Sequence, residues 1–171
     1  MGIGKKSWFD LSSEKYIKIL EEKRKGTGKR LFLKSRRKKE MDKQIEVIGI
    51  DHGWSGMKTA SQVFTSGVKE ITTEPAFWEN VVEYEGMYYR VGGRRLEVRE
   101  LKTTNLNFYI LTLAAAAKEL GRRGMRRADV LLSVGLPLTR FGAEKQGFID
   151  YLSKEKEVAF RFGGEAYRMN I

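Results

Sequence analysis

Short apolar runs separated by turn residues dominate the first half of the chain. The stretch IEVIGI (residues 45–50) is apolar and β-branched, which is typical of a largely buried strand. Residues 57–67 show no helical period and favour a second extended segment. Residues 68–78 predict a strand followed by a loop, and residues 81–93 predict a hairpin that turns at its central Glu-Gly pair.

A longer period appears after residue 103. An apolar stripe at helical spacing predicts a first helix. The members of this stripe are Leu106, Ile110, Leu113, Ala117 and Leu120. We expect Thr103 or Thr104 to cap the start of this helix and Gly121 to end it.

The remaining pattern predicts a strand, a helix and a hairpin. Residues 128–137 predict a buried strand that stops at Pro137. Residues 138–152 predict a second helix, and residues 157–171 predict a hairpin about a Gly-Gly pair. The side chains of the second helix that we expect to face inward are Phe141, Phe148, Ile149 and Leu152. This order of elements predicts an α/β fold with a mixed sheet flanked by helices.

Charge divides the chain into two regions. Residues 1–40 contain 14 Lys+Arg and 5 Asp+Glu, a net charge of +9. The other 19 basic and 17 acidic residues leave residues 41–171 at +2. We therefore interpret residues 1–40 as a basic, disordered extension and residues 41–171 as the folded domain. Met41 is also a candidate for the natural start of the protein.

Cysteine content and hydropathy limit the possible chemistry and cellular location of the protein. The 171-residue chain has no cysteine, which excludes disulfides, thiolate zinc sites and cysteine nucleophiles. No apolar run approaches the ~20 residues needed to span a bilayer, and no apolar segment follows the basic N-terminus as in a secretory signal. We expect a cytoplasmic protein that does not bind membranes.

The candidate chemistry lies where the first predicted strand ends. Asp51 follows the strand, the turn contains Gly53, Ser55 and Gly56, and Lys58 comes directly afterwards. Backbone N–H groups in such a turn can form a small anion nest, and glycines permit close backbone approach and positive φ. A lysine offers its charge to phosphates, and an aspartate can hold Mg²⁺ through water. The spacing therefore predicts a magnesium-phosphate site.

Two other nucleotide loops do not match these residues. The P-loop pattern fails because Met57 separates Gly56 from Lys58, and because the chain after Lys58 is predicted to be extended. The dinucleotide fingerprint fails because Gly49, Gly53 and Gly56 stand at other intervals and no helix follows them.

The stretch IGIDHGWSGMKTA (residues 48–60) resembles the first phosphate motif of the actin-like ATPases, in which a lysine stands seven positions after the aspartate. The chain resembles more closely the N-terminal domain of ParM-like bacterial actins, which segregate plasmids. The similarity covers about residues 45–171 and nothing before Met41. Further segments that carry it are VFTSGV, YYRVGGRR, ILTLAAAAKEL, ADVLLSVGLPLTRFG and FRFGGEAYRMNI.

This resemblance implies an actin-like, ribonuclease H-like ATPase subdomain. It also implies ATP and Mg²⁺ as cofactors, self-association into filaments, and movement of plasmid DNA through an adaptor protein. We call residues 51–58 the phosphate turn. By motif match, Asp51 is assigned to Mg²⁺, Gly53, Trp54, Ser55 and Gly56 to the phosphates through the turn, and Lys58 to direct phosphate contact.

Two departures from the family pattern limit what the resemblance implies. Trp54 occupies a turn position where relatives usually have a small or polar residue. Actin-like ATPases also close the nucleotide between two halves, and no second phosphate turn or adenosine site follows residue 60. The resemblance therefore implies an N-terminal half without its C-terminal half, which binds ATP weakly and does not hydrolyse it alone. No catalytic residue is assigned; Glu144 and Gln146 are candidates for positioning the attacking water.

Two other functional classes compete with this interpretation. A ribonuclease H-type nuclease also starts from a first-strand aspartate, but it needs more carboxylates around paired metals, and the strand at 128–137 brings Ser133 instead. The non-enzymatic alternative is a nucleic-acid-binding or interaction module that acts through residues 1–40. His52, the single histidine, stands in a turn and is expected to be exposed.

Overall fold

The structure, a computed structural model, describes residues 44–98, 101–136 and 141–171. The predictions for residues 1–40 and for Pro137 lie outside the described residues. The strands are β1 (Ile45–His52), β2 (Gly56–Thr59), β3 (Val63–Thr65), β4 (Val68–Ile71), β5 (Val81–Tyr84), β6 (Met87–Val91), β7 (Arg127–Gly135), β8 (Glu157–Phe162) and β9 (Glu165–Asn170). The helices are α1 (Asn107–Arg122) and α2 (Phe141–Leu152).

The nine strands form one mixed sheet in the order β3-β2-β1-β7-β9-β8-β5-β6-β4. β1 runs parallel to β7, and β7 runs parallel to β9. The other strand pairs are antiparallel. The predicted α/β fold with a mixed sheet is confirmed. The strand that comes last along the chain, β9, lies in the middle of the sheet.

Both helices cover the same side of this sheet, which we call the helix face. The even-numbered residues of β1, such as Ile48, are buried on the helix face, whereas Val47 is exposed on the opposite side. α2 joins α1 there, because the Phe148 ring lies 5.2 Å from the ring of His52 in an edge-on contact. We call the opposite side, which carries Val47 and Asp51, the outer face.

The prediction that β7 is a buried strand is wrong. Val130 is its one buried residue, and Leu131 is 41% exposed on the outer face. β7 alternates between the two faces because it pairs in parallel with β1, so that Leu131 lies beside Val47. Buried parallel strands usually read as continuous apolar runs because both faces are covered. In the described residues, this part of the outer face is open.

Helix α1 is the centre of the core. It is buried almost all round, and the four alanines at 114–117 have no exposed surface. Small side chains on the helix let the strands beneath it approach closely. The predicted apolar stripe is confirmed, with Leu106 partly buried and its other members buried.

The predicted ends of α1 are wrong. Neither Thr103 nor Thr104 caps the helix; instead the side-chain oxygen of Asn105 accepts a hydrogen bond of 3.0 Å from the amide of Asn107. Gly121 remains helical, and the helix ends at Arg122. Gly121 has a packing role, because a Cβ atom at this position would lie 2.9 Å from the Tyr167 hydroxyl.

Both predicted hairpins are confirmed, and their turns have left-handed backbone angles. Glu85 and Gly86 connect β5 to β6 with φ values of 51° and 77°. Gly163 and Gly164 connect β8 to β9 with φ values of 61° and 84°. Positive φ at both central residues matches the right-handed twist of the flanking strands.

Two predicted segments differ in detail. The extended segment at 57–67 is confirmed as extended, but it consists of the two short strands β2 and β3. In α2, Phe148 and Leu152 face inward as predicted, whereas Phe141 and Ile149 are exposed. α2 therefore contacts the core through a narrow stripe. Within the described ranges, no helix is long and apolar enough to cross a membrane.

Candidate functional site

The two charged residues of the phosphate turn meet on the outer face. β1 and β2 are antiparallel, and their register places Asp51 opposite Lys58. The Asp51 Oδ2 atom lies 3.7 Å from the Lys58 Nζ atom, and each side chain is 61% exposed. An exposed ion pair of this kind contributes about 0–1 kcal/mol to stability. Both groups can therefore be turned toward a ligand at little cost to the fold.

The backbone of the turn is tightly folded at its two glycines. A Cβ atom on Gly53 would lie 2.6 Å from the carbonyl oxygen of Gly56, and one on Gly56 would lie 3.2 Å from that of Phe64. The predicted close approach is thus confirmed. The predicted positive φ is wrong for both glycines. The Ser66 hydroxyl donates a hydrogen bond to the Gly53 carbonyl and thereby stabilises the turn. Ser55 is exposed at its tip.

Trp54 points away from the charged pair. Its ring packs edge-on against Phe108 of α1, with the ring centroids 5.1 Å apart. The Lys102 ammonium lies 5.9 Å from the centre of the Trp54 ring and 5.5 Å from that of Phe108. The bulky residue at this position therefore packs on the helix face, while Asp51 and Lys58 remain on the outer face.

The prediction that His52 is exposed is wrong. Its side chain is 1% exposed, because it belongs to the even-numbered residues of β1 that face α1. The His52 Nε2 atom lies 2.8 Å from the Thr112 hydroxyl, which itself donates to the carbonyl of Phe108. A hydroxyl has one proton, so His52 must be the donor to Thr112.

This environment holds His52 in its neutral form. Burial, followed by the positive charge of Lys102, lowers the pKa of His52 from 6.5 to about 3. The Lys102 ammonium donates a hydrogen bond to the backbone carbonyl of His52. Burial also lowers the pKa of Lys102, although Asp51 and Glu144 act in the opposite direction. The turn is thus anchored by one neutral and one cationic side chain on its helix-face side.

A second anchor, which sequence patterns did not reveal, is Glu119. The Glu119 Oε1 atom accepts hydrogen bonds from the Ser61 amide at 3.0 Å, the Ser61 hydroxyl at 2.6 Å, and the Thr59 hydroxyl. Burial acts to raise the pKa of Glu119, but the hydrogen bonds from Ser61 and Thr59 and the charge of Arg123 outweigh it, so the pKa is lowered. An ionised carboxylate therefore ties the loop after β2 to α1.

Arg123 extends this connection to the start of β1. Its guanidinium lies 2.7 Å from Glu46 and 3.6 Å from Glu119, and it also donates to the carbonyl of Val47. A glutamate inside an alanine-rich helix gives little sequence signal for this role, since its hydrogen-bond donors Thr59 and Ser61 lie about 60 positions away along the chain.

The donor set at the turn fits Mg²⁺. Asp51 supplies one exposed carboxylate, and the part of the chain that the structure describes contains no group of three or more His, Cys, Asp or Glu placed to hold a metal. Mg²⁺ is usually bound through one or two carboxylates, with water and substrate phosphates as its other ligands. Gln146 bonds to Asp150 at 2.8 Å within α2, so a water-positioning role for Gln146 or Glu144 stays a prediction.

Comparison with known proteins gives one family and several similar folds. The family model "Actin like proteins N terminal domain" matches residues 49–171. The apo ParM protein of psk41 has a TM-score of 0.58 at 16% identity, with 74% of this chain and 47% of that chain covered. Bacillus thuringiensis ParM with ATP has a TM-score of 0.57 at 17% identity, with coverage of 75% and 43%. The AlfA filament bound to AMPPNP has a TM-score of 0.55 at 17% identity, with coverage of 74% and 52%.

These matches show the fold, and they cover part of each neighbour. The chain spans about half the length of the solved chains that it matches, between 43% and 52% for these three. A search of curated proteins found no significant match.

Proposed function

This chain belongs to the actin-like proteins through their N-terminal domain, and on that premise we propose that it is the N-terminal part of a ParM-like bacterial actin that binds Mg-ATP. The observation that carries the proposal is the meeting of Asp51 and Lys58, 3.7 Å apart and exposed, beside a turn in which Gly53 has no room for a side chain. The neighbours solved with ATP and AMPPNP support nucleotide as the ligand.

Six residues of the phosphate turn have a role in this proposal: Asp51, Gly53, Trp54, Ser55, Gly56 and Lys58. Lys58 leaves Asp51 and pairs with the phosphates, and Asp51 holds the waters of a magnesium ion. The backbone N–H groups from Gly53 to Gly56 face the phosphate oxygens. Mg²⁺, when bound, neutralises charge on the phosphates.

The proposed filament function requires more than this domain. Within the described residues we assign contacts to the phosphates but none to the adenosine, so we propose that the nucleotide binds weakly, is not hydrolysed by this chain alone, and is enclosed by a second half. With that half present, the protein assembles into filaments in the cytoplasm and segregates plasmid DNA through an adaptor protein. The AlfA filament among the structural neighbours supports the self-association.

The test is Mg-ATP binding to the full chain, measured by calorimetry. We expect Asp51→Ala and Lys58→Ala each to weaken binding at least tenfold. Removal of Mg²⁺ should weaken binding to the unmodified protein and have little further effect in Asp51→Ala. Because the exposed pair contributes little to stability, the thermal unfolding of both variants should be nearly unchanged.

The same face supplies matched controls. Glu157 and Arg168 form an exposed ion pair of 3.0 Å between β8 and β9, away from the turn. Glu157→Ala and Arg168→Ala repeat the charge changes of the two site variants and should leave ATP binding unchanged. If all four variants bind ATP equally, the phosphate turn is not the binding site.

The charge of residues 1–40 favours a second candidate function. A net charge of +9 within 40 residues suits binding to the phosphate backbone of nucleic acids. We propose that this segment binds DNA or RNA without sequence preference. Affinity for a random duplex should fall steeply with salt and be lost when residues 1–40 are removed; a weak dependence on salt would contradict this candidate.

A further inference from the structure

A basic pocket opens on the helix-face side of the turn, separate from Asp51 and Lys58. It has a volume of about 510 Å³ and is bounded by Trp54, the start of α1 at Phe108, strands β4 and β6, and the loop at 92–97. Its size falls within the range of small-molecule sites. The proposed nucleotide function uses the other face of β1 and leaves this cavity without a role.

Positive charges are concentrated around this pocket. Lys69 and Arg90 stand directly opposite each other in the antiparallel pair of β4 and β6. Like charges in this position repel and destabilise the pair. Arg94, Arg95 and Lys102 also line the pocket, and among the described lining residues Glu97 is the one carboxylate.

These cations have little compensation from the protein. In the described ranges, no carboxylate lies within 4.0 Å of Lys69, Arg90, Arg94 or Arg95. All four side chains are exposed and available to a ligand. An anion between Lys69 and Arg90 would replace their repulsion by two attractive contacts.

The wall of the pocket is built before any ligand arrives. A Cβ atom on Gly67 would lie 2.3 Å from the carbonyl oxygen of Arg94, so the loop packs directly on the backbone of Gly67. The amide of Gly92 donates to the Gly67 carbonyl at 2.9 Å, and that of Leu96 donates to the Ser66 carbonyl at 2.7 Å. These bonds fix the loop and hold the cavity open. Preformed sites lose less entropy on binding.

Part of the pocket lining is apolar and aromatic. Trp54 and Phe108 meet edge-on there, and Leu96 packs against the core beside them. An inorganic ion would leave this surface without contact. A ligand with a ring or another apolar body would cover it while its charges reach the rim, which is the usual composition of a small-molecule site.

We propose that the basic pocket binds a small organic anion, with an aromatic or apolar body against Trp54 and at least two negative charges at Lys69 and Arg90. This site shares Trp54 with the phosphate turn but uses neither Asp51 nor Lys58, the two charged groups proposed to bind the nucleotide. Phosphate and carboxylate groups both satisfy the charge requirement, and a phosphate monoester is the simpler probe.

The experiment titrates the full chain with 1-naphthyl phosphate, which joins an aromatic body to a doubly charged phosphate, with saturating Mg-ATP present. Binding is followed by calorimetry. We expect saturable binding that the double variant Lys69→Gln/Arg90→Gln weakens at least tenfold. Uncharged 1-naphthol should bind at least tenfold more weakly than the phosphate, and inorganic phosphate should also bind more weakly because it lacks the ring.

A matched double variant separates this site from the overall charge of the protein. Arg122 and Arg127 are exposed and lie outside the basic pocket, so Arg122→Gln/Arg127→Gln removes the same two charges elsewhere. It should change the affinity less than twofold, as should Lys58→Ala. The proposal is overturned by equal weakening in both double variants, by loss of binding in Lys58→Ala, by equal affinity for 1-naphthol, or by no binding to the unmodified chain.

Discussion

His52 illustrates how a single residue of the turn makes the fold sensitive to acid. In the unfolded chain its pKa is near 6.5, whereas burial and Lys102 lower the pKa to about 3 in the folded protein. The unfolded state therefore binds a proton more readily than the folded state. The stability that comes from the neutral ring is fully present above pH 6.5 and is lost as the pH falls below it.

We expect the free energy of unfolding to fall by about 2 kcal/mol between pH 7 and pH 5 because of this residue. Urea unfolding at several pH values measures it. In His52→Leu, which cannot take up a proton, the decrease over this range should largely disappear. A decrease of the same size in His52→Leu would mean that other groups cause it.

The turn also depends on Gly53. We expect Gly53→Ala to destabilise the fold by about 1–3 kcal/mol, because its methyl group would overlap the carbonyl oxygen of Gly56 at 2.6 Å. It should also weaken ATP binding. Gly49→Ala is the control, since no atom lies within 4 Å of its added carbon on the outer face. Urea unfolding of both variants checks this, and equal destabilisation would contradict it.

Some features of this site could be predicted from the sequence, and others could not. The spacing of Asp51 and Lys58 is local, and it led to a strand–turn–strand geometry that the structure confirms. The burial of His52 was missed because it depends on α1, about 60 positions later. Glu119 was missed for the same reason. A buried polar group is recognised by its partners, and these are not visible in a local pattern.

At the scale of elements, hydrogen bonds connect α1 to both ends of strand β1. His52 and Thr112 connect them near the turn, and Glu46 and Arg123 connect them near the other end. The loop after β2 is held to the same helix by Glu119. The position of the phosphate turn therefore follows that of α1. Movement of the turn alone would require several hydrogen bonds to break, among them the buried bond between His52 and Thr112.

We expect Glu119→Ala to lower the free energy of unfolding by about 2–3 kcal/mol, because Thr59 and Ser61 lose an ionised acceptor. Glu119→Gln should cost less, since one side-chain oxygen remains. Glu165→Ala is the matched control and should stay within about 0.5 kcal/mol, because Glu165 forms an exposed pair with Arg126. Urea unfolding separates these outcomes, and similar values for Glu119→Ala and Glu165→Ala would refute the anchoring role.

Element types were predictable, but their ends and exposure were less so. The apolar stripe of α1 and both hairpins follow from local periodicity and turn residues. The end of α1 could not be predicted in this way. Gly121 does not end the helix; it is small because the hydroxyl of Tyr167 on β9 packs against it. The exposure of β7 also escaped prediction, since an apolar run alone does not show whether both faces of a strand are covered.

At the scale of the whole molecule, β9 joins the two groups of strands. It separates β3-β2-β1-β7 from β8-β5-β6-β4 and pairs with β7 on one side and β8 on the other. Met169 on this strand has no exposed surface and packs within the core on the helix face. The connection between the two groups of strands therefore depends on the six residues of β9.

We expect Met169→Ala to cost about 2–5 kcal/mol, because it leaves a cavity at the junction. Met87→Ala on β6 is the control, since Met87 is 38% exposed, and it should cost less than about 1 kcal/mol. Thermal and urea unfolding provide the measurement. Equal costs would show that the junction is no more sensitive than the rim of the sheet.

The central place of β9 also has a consequence for biosynthesis. Ribosomes add about 5–20 residues per second, so the 35 residues that follow Gly135 up to Asn170 take roughly 2–7 s to add. Until β9 emerges, β7 has no partner on one side, and the nascent chain presents a strand edge that can pair with other chains. The sheet cannot close during translation of the strands that come before β9. The unpaired edge of β7 is therefore exposed from the time β7 leaves the ribosome until β9 follows it.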